Sequence, residues 1–118
     1  MTPGINEFKV YMPAKDFALS KRFYAALGFT MSPGWGGTAD FDLGGHRFRL
    51  QDYYVKDWAE YFMVVVGVDD VASWHEHVQR IAGSAQFPGV SIKPPEAVGD
   101  SMVLHVTDPS GVLLVFVQ

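Results

Sequence analysis

The side chains able to do chemistry in this 118-residue chain include four histidines and thirteen acidic residues, with no cysteine. The lack of cysteine excludes disulfides, thiolate metal sites, iron–sulfur clusters and cysteine nucleophiles. His75 and His77 lie two residues apart on a predicted helix and therefore point to different faces, whereas a chelating pair needs a spacing of three or four. Ser20 and Ser73 are predicted on helix surfaces, and no Gly-x-Ser-x-Gly elbow is present. We therefore assign no catalytic residue.

Two further polar residues lie near the C-terminus. His105 is in the middle of a predicted strand, where side-chain alternation leaves two readings open: it faces a cleft, or it is a hydrogen-bonded histidine of the sheet. Asp108 opens an Asp-Pro-Ser-Gly turn, and its carboxylate can bond its own backbone two residues on. The glycines of Gly34–Gly37 lack the lysine of a phosphate loop, so nucleotide binding is unsupported.

Composition predicts one folded domain. Hydrophobic residues make up 48% of the chain and charged residues 19%, a balance that argues against disorder. The formal net charge of −4 argues against a nucleic-acid partner, which selects a basic surface. Apolar runs such as Phe62–Val66 are far too short to span a membrane, and the first residues lack a targeting pattern. We expect a cytoplasmic protein.

The first half of the chain predicts a strand, a helix and three further strands. Asp16 is a good N-cap, apolar residues follow it at helical spacing, and Gly28 supplies a C-cap. Strand residues His46–Asp52 alternate, with Phe48 on one face and Arg49 on the other. The predicted elements are the strands Phe8–Met12, Phe29–Ser32, Ala39–Leu43 and His46–Asp52 and the helix Asp16–Leu27.

The second half repeats this order after a linker, Tyr53–Glu60. A helix that begins at Asp69 or Asp70 and ends at Gly83 is followed by a weak strand and by a proline-containing loop, Lys93–Gly99. The predicted strands are Phe62–Val68, Phe87–Ile92, Ser101–Thr107 and Val112–Val117. The repeat predicts an α+β fold of two βαβββ modules in one domain, residues 1–118, with module 1 at about 5–56 and module 2 at about 60–118.

Two stretches carry a resemblance to a known family. Ala14–Phe29 contains Lys-Asp, then Phe-Tyr, then Leu-Gly-Phe, and Asp108–Phe116 begins Asp-Pro-Ser-Gly and ends in phenylalanine. With the paired βαβββ order, these motifs resemble the vicinal oxygen chelate superfamily, which includes glyoxalase I, extradiol dioxygenases and bleomycin-resistance proteins. The resemblance covers nearly the whole chain and implies two curved sheets that form an open cleft, with the helices on the convex side.

The resemblance also implies where a metal would sit. Metal-dependent members hold the ion with His, Gln or Glu on the first and last strands of each module. By position, these sites correspond here to Lys9, to Arg49 or Gln51, to Met63 and to Val115. Only Gln51 offers a suitable donor atom, and one neutral ligand does not make a site. The expectation is therefore a member without metal or other cofactor.

The cleft implied by the resemblance predicts a small-molecule site. It is partly apolar with a few hydrogen-bonding groups, as expected of such a site. Tyr53, Tyr54 and Trp58 suit either stacking on a flat ligand or burial in a subunit interface. The basic residues suit either an anionic ligand or acidic residues of a partner subunit. The predicted ligand-binding residues are Lys9, Tyr11, Trp35, Arg49, Gln51, Trp58, Met63, His105 and Val115.

Two classes of function follow from this resemblance. The first is a homodimeric protein that binds or sequesters a small molecule without metal, similar to bleomycin-resistance proteins. The second is a glyoxalase-like lyase or isomerase, or a dioxygenase, in which a divalent metal stabilises an enediolate. A metal-free catalytic variant would use Lys9, Tyr11 or His105 for proton transfer.

Overall fold

A computed structural model describes all 118 residues. Module 1 comprises β1 (Tyr11–Pro13), α1 (Phe17–Leu27), β2 (Thr30–Pro33), β3 (Ala39–Leu43) and β4 (His46–Gln51), with a 3-10 turn at Trp35–Gly37. A short helix, α2 (Lys56–Glu60), connects the modules. Module 2 comprises β5 (Met63–Gly67), α3 (Val71–Gly83), β6 (Ser91–Val98), β7 (Ser101–Thr107) and β8 (Leu113–Val117). None of the helices has the length and apolar character needed to cross a membrane.

The two modules build the same four-stranded sheet. In sheet 1 the strand order is β1-β4-β3-β2, and in sheet 2 it is β5-β8-β7-β6. Each module's first strand pairs in parallel with its last, and the remaining pairs are antiparallel. The predicted α+β fold of two βαβββ modules is confirmed.

The helix ends are set by local chemistry. The Asp16 side chain accepts a hydrogen bond from the Leu19 N–H, and Asp70 does the same for Ala72, so each carboxylate satisfies a backbone donor that the first turn leaves free. Gly28 ends α1 at φ 122°, a conformation that side chains rarely adopt. Both N-caps agree with the prediction.

Each sheet has an inner face covered by a helix and an outer face that is not. Alternating residues such as Met12, Phe41 and Leu50 in sheet 1 and Leu104 and Phe116 in sheet 2 are buried in one core with both helices. Helix α1 also contacts α3. The modules therefore meet through their helices, and both outer faces are turned away from that contact.

A buried polar network joins the modules. The Tyr24 hydroxyl donates to the Asp108 carboxylate at 2.6 Å, and the same carboxylate accepts from the Ser110 and Val112 N–H groups. Ser20 lies 3.2 Å from the Ser110 hydroxyl and is fully buried, so its predicted place on a helix surface is wrong. The turn bonds of Asp108 agree with the prediction, but the bond from Tyr24 was not foreseen.

His77 lies in the contact between the two long helices. Its Nε2 lies 3.0 Å from the Leu27 carbonyl oxygen, and its ring packs on Trp74 at 5.7 Å between centroids. His77 therefore belongs to the contact between α1 and α3 rather than to a solvated surface. His75 makes no such contact across the modules.

The predicted loop Lys93–Gly99 is mostly strand. Strand β6 runs from Ser91 to Val98, whereas the sequence predicted a strand at Phe87–Ile92. The two prolines are accommodated because β6 is an edge strand and its register shifts between Lys93 and Glu96. In module 1, the first strand begins at Tyr11 rather than Phe8, although the Val10 carbonyl already accepts from the Arg49 N–H.

Candidate ligand-binding site

The outer face of sheet 1 carries an ion-pair cluster centred on Asp40. The Arg49 guanidinium donates two hydrogen bonds to this carboxylate, at 2.7 Å from Nε and 3.1 Å from Nη2. The Lys9 ammonium donates to the same carboxylate at 2.9 Å and also lies 3.2 Å from Glu7. Cross-strand pairing sets the cluster, because Asp40 on β3 is directly opposite Arg49 on β4.

The electrostatics of the cluster hold all three groups in their charged forms. The hydrogen bonds from Arg49 lower the pKa of Asp40 to about 2, with Lys9 acting in the same direction. The bond to Asp40 in turn raises the pKa of Lys9 and of Arg49. Both cations are therefore paired within their own chain, which leaves less positive charge for an anionic ligand or a partner subunit.

Tyr11 has a free hydroxyl proton beside this cluster. Its oxygen accepts a hydrogen bond from Arg49 Nη1 at 3.2 Å, and the guanidinium lies over the ring at 5.5 Å from its centroid. A hydroxyl that accepts one bond still has its own proton to donate. Arg49 thus orients Tyr11 as a hydrogen-bond donor on the outer face. Gln51 lies on the same face of β4, two residues after Arg49, and pairs with Pro13 of β1.

The outer face of sheet 2 is apolar. Met63 and Val65 on the edge strand β5 are 60% and 65% exposed, although their side chains are hydrophobic. Val115 lies beside Val65 on the neighbouring strand and is only 8% exposed. Leu113, Val117 and Val103 share this face by alternation.

His105 is the exception on that face. It lies on β7 opposite Val115 on one side and opposite Lys93 on the other. Because its neighbours Leu104 and Val106 point into the core, its ring points to the outer face. The ring has no hydrogen-bond partner at Nδ1, so His105 is not a fully hydrogen-bonded histidine of the sheet.

The strand registers show that the two faces are equivalent in position and different in chemistry. In sheet 1 the row across the strands is Tyr11, Arg49, Asp40 and Ser32. In sheet 2 the corresponding row is Val65, Val115, His105 and Lys93. No hydrogen bond or ion pair of the chain joins the two rows. The predicted site residues therefore form two groups, one on each sheet.

The two predicted tryptophans lie outside both rows. Trp35 is in the 3-10 turn and is 77% exposed, with no aromatic neighbour. Trp58 is on α2 rather than in an irregular linker, and it packs between Tyr53 and Phe62 at about 6 Å. Trp58 is therefore partly used in holding α2 to the start of module 2.

A groove of about 850 Å³ opens between the modules, and sequence reasoning missed it. It runs along β5 and reaches the β3–β4 turn, with a largely apolar lining that includes Val10, Phe48, Val66 and Trp74. Of the predicted site residues only Met63 lines it. The groove depends on how the modules pack, which alternation within single strands does not reveal.

The match to a family model decides which family this is. The model of the glyoxalase/bleomycin resistance protein/dioxygenase superfamily matches residues 4–116. The chain belongs to this superfamily. The resemblance noted from the sequence is thereby confirmed, and the superfamily includes both resistance proteins and enzymes.

Solved structures of the superfamily share the fold. A bleomycin resistance determinant encoded on the transposon Tn5 has a TM-score of 0.78 at 21% identity, covering 97% of this chain and 98% of its own. A bleomycin-binding protein complexed with bleomycin has a TM-score of 0.75 at 20% identity, covering 97% of this chain and 98% of its own. Lactoylglutathione lyase from Agrobacterium tumefaciens has a TM-score of 0.69 at 15% identity, covering 98% of this chain and 94% of its own. Among curated proteins, none matches this sequence.

The residues of this superfamily member do not fit the metal that enzymes of the fold hold. Lys9 at the first expected position has no lone pair at neutral pH and is bonded to Asp40. Arg49, Met63 and Val115 supply no oxygen or imidazole donor, and Gln51 stands alone. No group of three or more His, Cys, Asp or Glu side chains in the chain is arranged to hold a metal ion.

Proposed function

We propose that this chain is a metal-free protein that binds or sequesters a small molecule, and that it acts as one domain in a homodimer. The ligand-binding surface comprises the two outer faces, with Lys9, Tyr11, Arg49 and Gln51 on one and Met63, His105 and Val115 on the other. Trp35 and Trp58 complete the predicted set at the rim. The cytoplasmic location stays part of this proposal and rests on the sequence alone.

One observation carries the proposal. The position where a superfamily enzyme needs a metal ligand on its first strand holds Lys9, and this lysine is committed to Asp40 at 2.9 Å. The same carboxylate also holds Arg49, and Glu7 lies beside Lys9, so two carboxylates balance the two cations without an ion. An apolar surface with a few fixed donors suits recognition of a small molecule.

Exposed apolar surface supports the homodimer. Strand β5 has one unpaired edge, and its Met63 and Val65 are well exposed. Ile5 and Phe8, which precede β1, are 78% and 82% exposed. Hydrophobic side chains grouped at an open strand edge are typical of a surface that another chain covers.

Metal binding tests the proposal first. We would measure metal content by elemental analysis and titrate the untagged protein with Ni²⁺, Zn²⁺, Mn²⁺ and Fe²⁺ by calorimetry. The expected result is no metal above background and no saturable heat. One ion bound tightly per subunit would contradict the proposal and would favour the glyoxalase-like lyase or dioxygenase.

A thermal-shift screen of flat compounds follows, using neutral, cationic and anionic sets. A ligand that binds only the native state raises the melting temperature. For any hit, Tyr11→Phe should weaken binding roughly three- to tenfold, the effect of one lost hydrogen bond. Tyr61→Phe is the matched control, because Tyr61 is 88% exposed and is not among the predicted ligand-binding residues.

A further inference from the structure

His105 has an unsatisfied ring nitrogen beside the valines of the sheet 2 outer face. Its Nδ1 is the chain's only buried side-chain nitrogen or oxygen without a hydrogen-bond partner. Buried polar atoms are nearly always paired in folded proteins, so an unpaired atom requires an explanation. The burial of Nδ1 indicates which of the two ring nitrogens carries the proton.

The unpaired Nδ1 favours one tautomer. In a neutral imidazole one nitrogen carries the proton and the other is an acceptor. A buried N–H without a partner is rarer in proteins than an acceptor without one, so the proton belongs on Nε2. His105 makes no hydrogen bond through Nε2, and this atom is not among the buried ones, so it reaches the surface. The ring therefore presents a free N–H at the outer face.

The His105 N–H has valines on one side and a charged pair on the other. Val115 lies opposite on β8, and Val103 and Val117 are its neighbours on the same face. The charged groups that face it are Lys93 and Glu96 on β6, and they pair with each other at 3.0 Å. No charged side chain approaches it from β7 or β8.

We propose that the His105 Nε2–H is a specificity-determining donor that selects a flat, neutral ligand carrying a hydrogen-bond acceptor, such as an aromatic nitrogen or carbonyl. This inference rests on the proposed binding function and names the class of ligand. Valines beside an outward donor stabilise an apolar ring that places an acceptor against that donor. It disfavours a cation, because the positive charge would meet the hydrogen of the N–H.

The tautomer can be measured without a ligand. Long-range ¹H–¹⁵N NMR spectra distinguish the two tautomers of a histidine ring, and His105→Gln identifies its signals by their loss. At pH 8 we expect the Nε2–H form. The Nδ1–H form would overturn the inference.

Matched probes test the selectivity at pH 8. Quinoline, naphthalene and N-methylquinolinium have nearly the same shape, but only quinoline is neutral with an acceptor nitrogen. Amide NMR titrations should show shifts in β7 and β8, with quinoline bound roughly three- to tenfold more tightly than naphthalene and N-methylquinolinium more weakly than quinoline. His105→Phe should abolish the preference for quinoline, and His75→Phe, on α3, should retain it.

The other outcomes are separable. Equal binding of quinoline and naphthalene, unchanged by His105→Phe, would overturn the inference and leave the binding function standing. Binding of none of the three, with no hit in the wider screen, would overturn both. Shifts of the β7 and β8 amides that follow protein concentration and respond to no probe would show that a second copy covers this face, and the inference would fall.

Discussion

Replacing Tyr24 with phenylalanine removes one hydroxyl from the buried network that joins the modules. The hydroxyl donates to Asp108 at 2.6 Å, and the carboxylate has no exposure to water. A hydrogen bond to a charged group contributes about 1.5–3 kcal/mol, and two backbone donors remain on the carboxylate. We therefore expect Tyr24→Phe to lower the free energy of unfolding by about 2 kcal/mol at pH 7.

Urea unfolding at one protein concentration measures this loss. With a denaturant slope of about 1–2 kcal/mol/M, the midpoint should fall by about 1–2 M. The aromatic contacts of the ring with Phe23 and Phe48 survive in the variant, so the effect reports the hydroxyl. Tyr53→Phe is the matched control, because Tyr53 is exposed and its change should stay within about 0.5 kcal/mol.

The dependence on pH makes the test specific. Burial raises the pKa of Asp108, and the bond from Tyr24 opposes that rise. The free energy of unfolding therefore falls as the pH rises through the pKa of Asp108, because the buried carboxyl becomes charged. The Tyr24 hydroxyl offsets part of this fall, and it does so only where Asp108 is ionised. The loss from Tyr24→Phe should be full at pH 7 and shrink towards about pH 4. A loss equal to that of Tyr53→Phe, or one independent of pH, would refute the reasoning.

Three further predictions concern the other parts of the fold. Because the pKa of Asp40 is lowered to about 2, its contribution to stability should persist above about pH 4 and be lost as the pH falls through that lowered value. In urea unfolding at pH 7, Asp40→Asn should lower the free energy of unfolding by about 1 kcal/mol or less, because water screens the cluster. Val65→Lys on the open edge of β5 should convert the proposed dimer to monomer by analytical ultracentrifugation without unfolding it, and a dimer of unchanged affinity would contradict that interface. Gly89→Ala should lower the melting temperature more than Gly36→Ala, because both have positive φ but only at Gly89 would a Cβ meet an atom, the Pro109 oxygen at 3.1 Å.

The sequence was most informative where a pattern repeats within one element. Alternation correctly separated Phe48 and Leu50 from Arg47 and Arg49, since each pair lies on one face of β4. The N-caps at Asp16 and Asp70 follow from a local side-chain bond to the backbone. Such features need no knowledge of the rest of the chain, because the competing interactions are all within a few residues.

Predictions failed where a distant element changes the preference of a residue. Pro94 and Pro95 indicated a loop, but an edge strand with a shifted register has no need of their missing N–H groups. Ser20 is polar and lies on a helix, yet Ser110 from the other module covers it. Both cases depend on pairings between residues far apart in sequence, which a pattern within one segment does not contain.

The sequence named side chains for a proposed site but not how they are arranged. The family resemblance put both Tyr11 and Arg49 in that site, and the structure adds Asp40, which the sequence reading had not chosen. Asp40 was missed because its strand, Ala39–Leu43, was predicted without asking what its polar side chains face, although cross-strand pairing places Asp40 opposite Arg49. The signal was present in the hairpin: the Gly44-Gly45 turn fixes the register in which Asp40 and Arg49 meet.

The two modules differ in chemistry mainly on their outer faces. Their inner faces both carry alternating apolar residues, because each buries a helix. The outer face of sheet 1 holds the ion cluster around Asp40, whereas the outer face of sheet 2 holds valines, His105 and the Lys93–Glu96 pair. Two copies can pair these faces in two ways. If module 1 of one copy faces module 2 of the other, Tyr11 beside the ion cluster lies across from the valines of sheet 2. If module 1 faces module 1, two ion clusters meet, and two arginines and two lysines must be desolvated. In the proposed dimer, the chemistry of the faces therefore favours the pairing of unlike modules, because that pairing leaves fewer charged groups to desolvate.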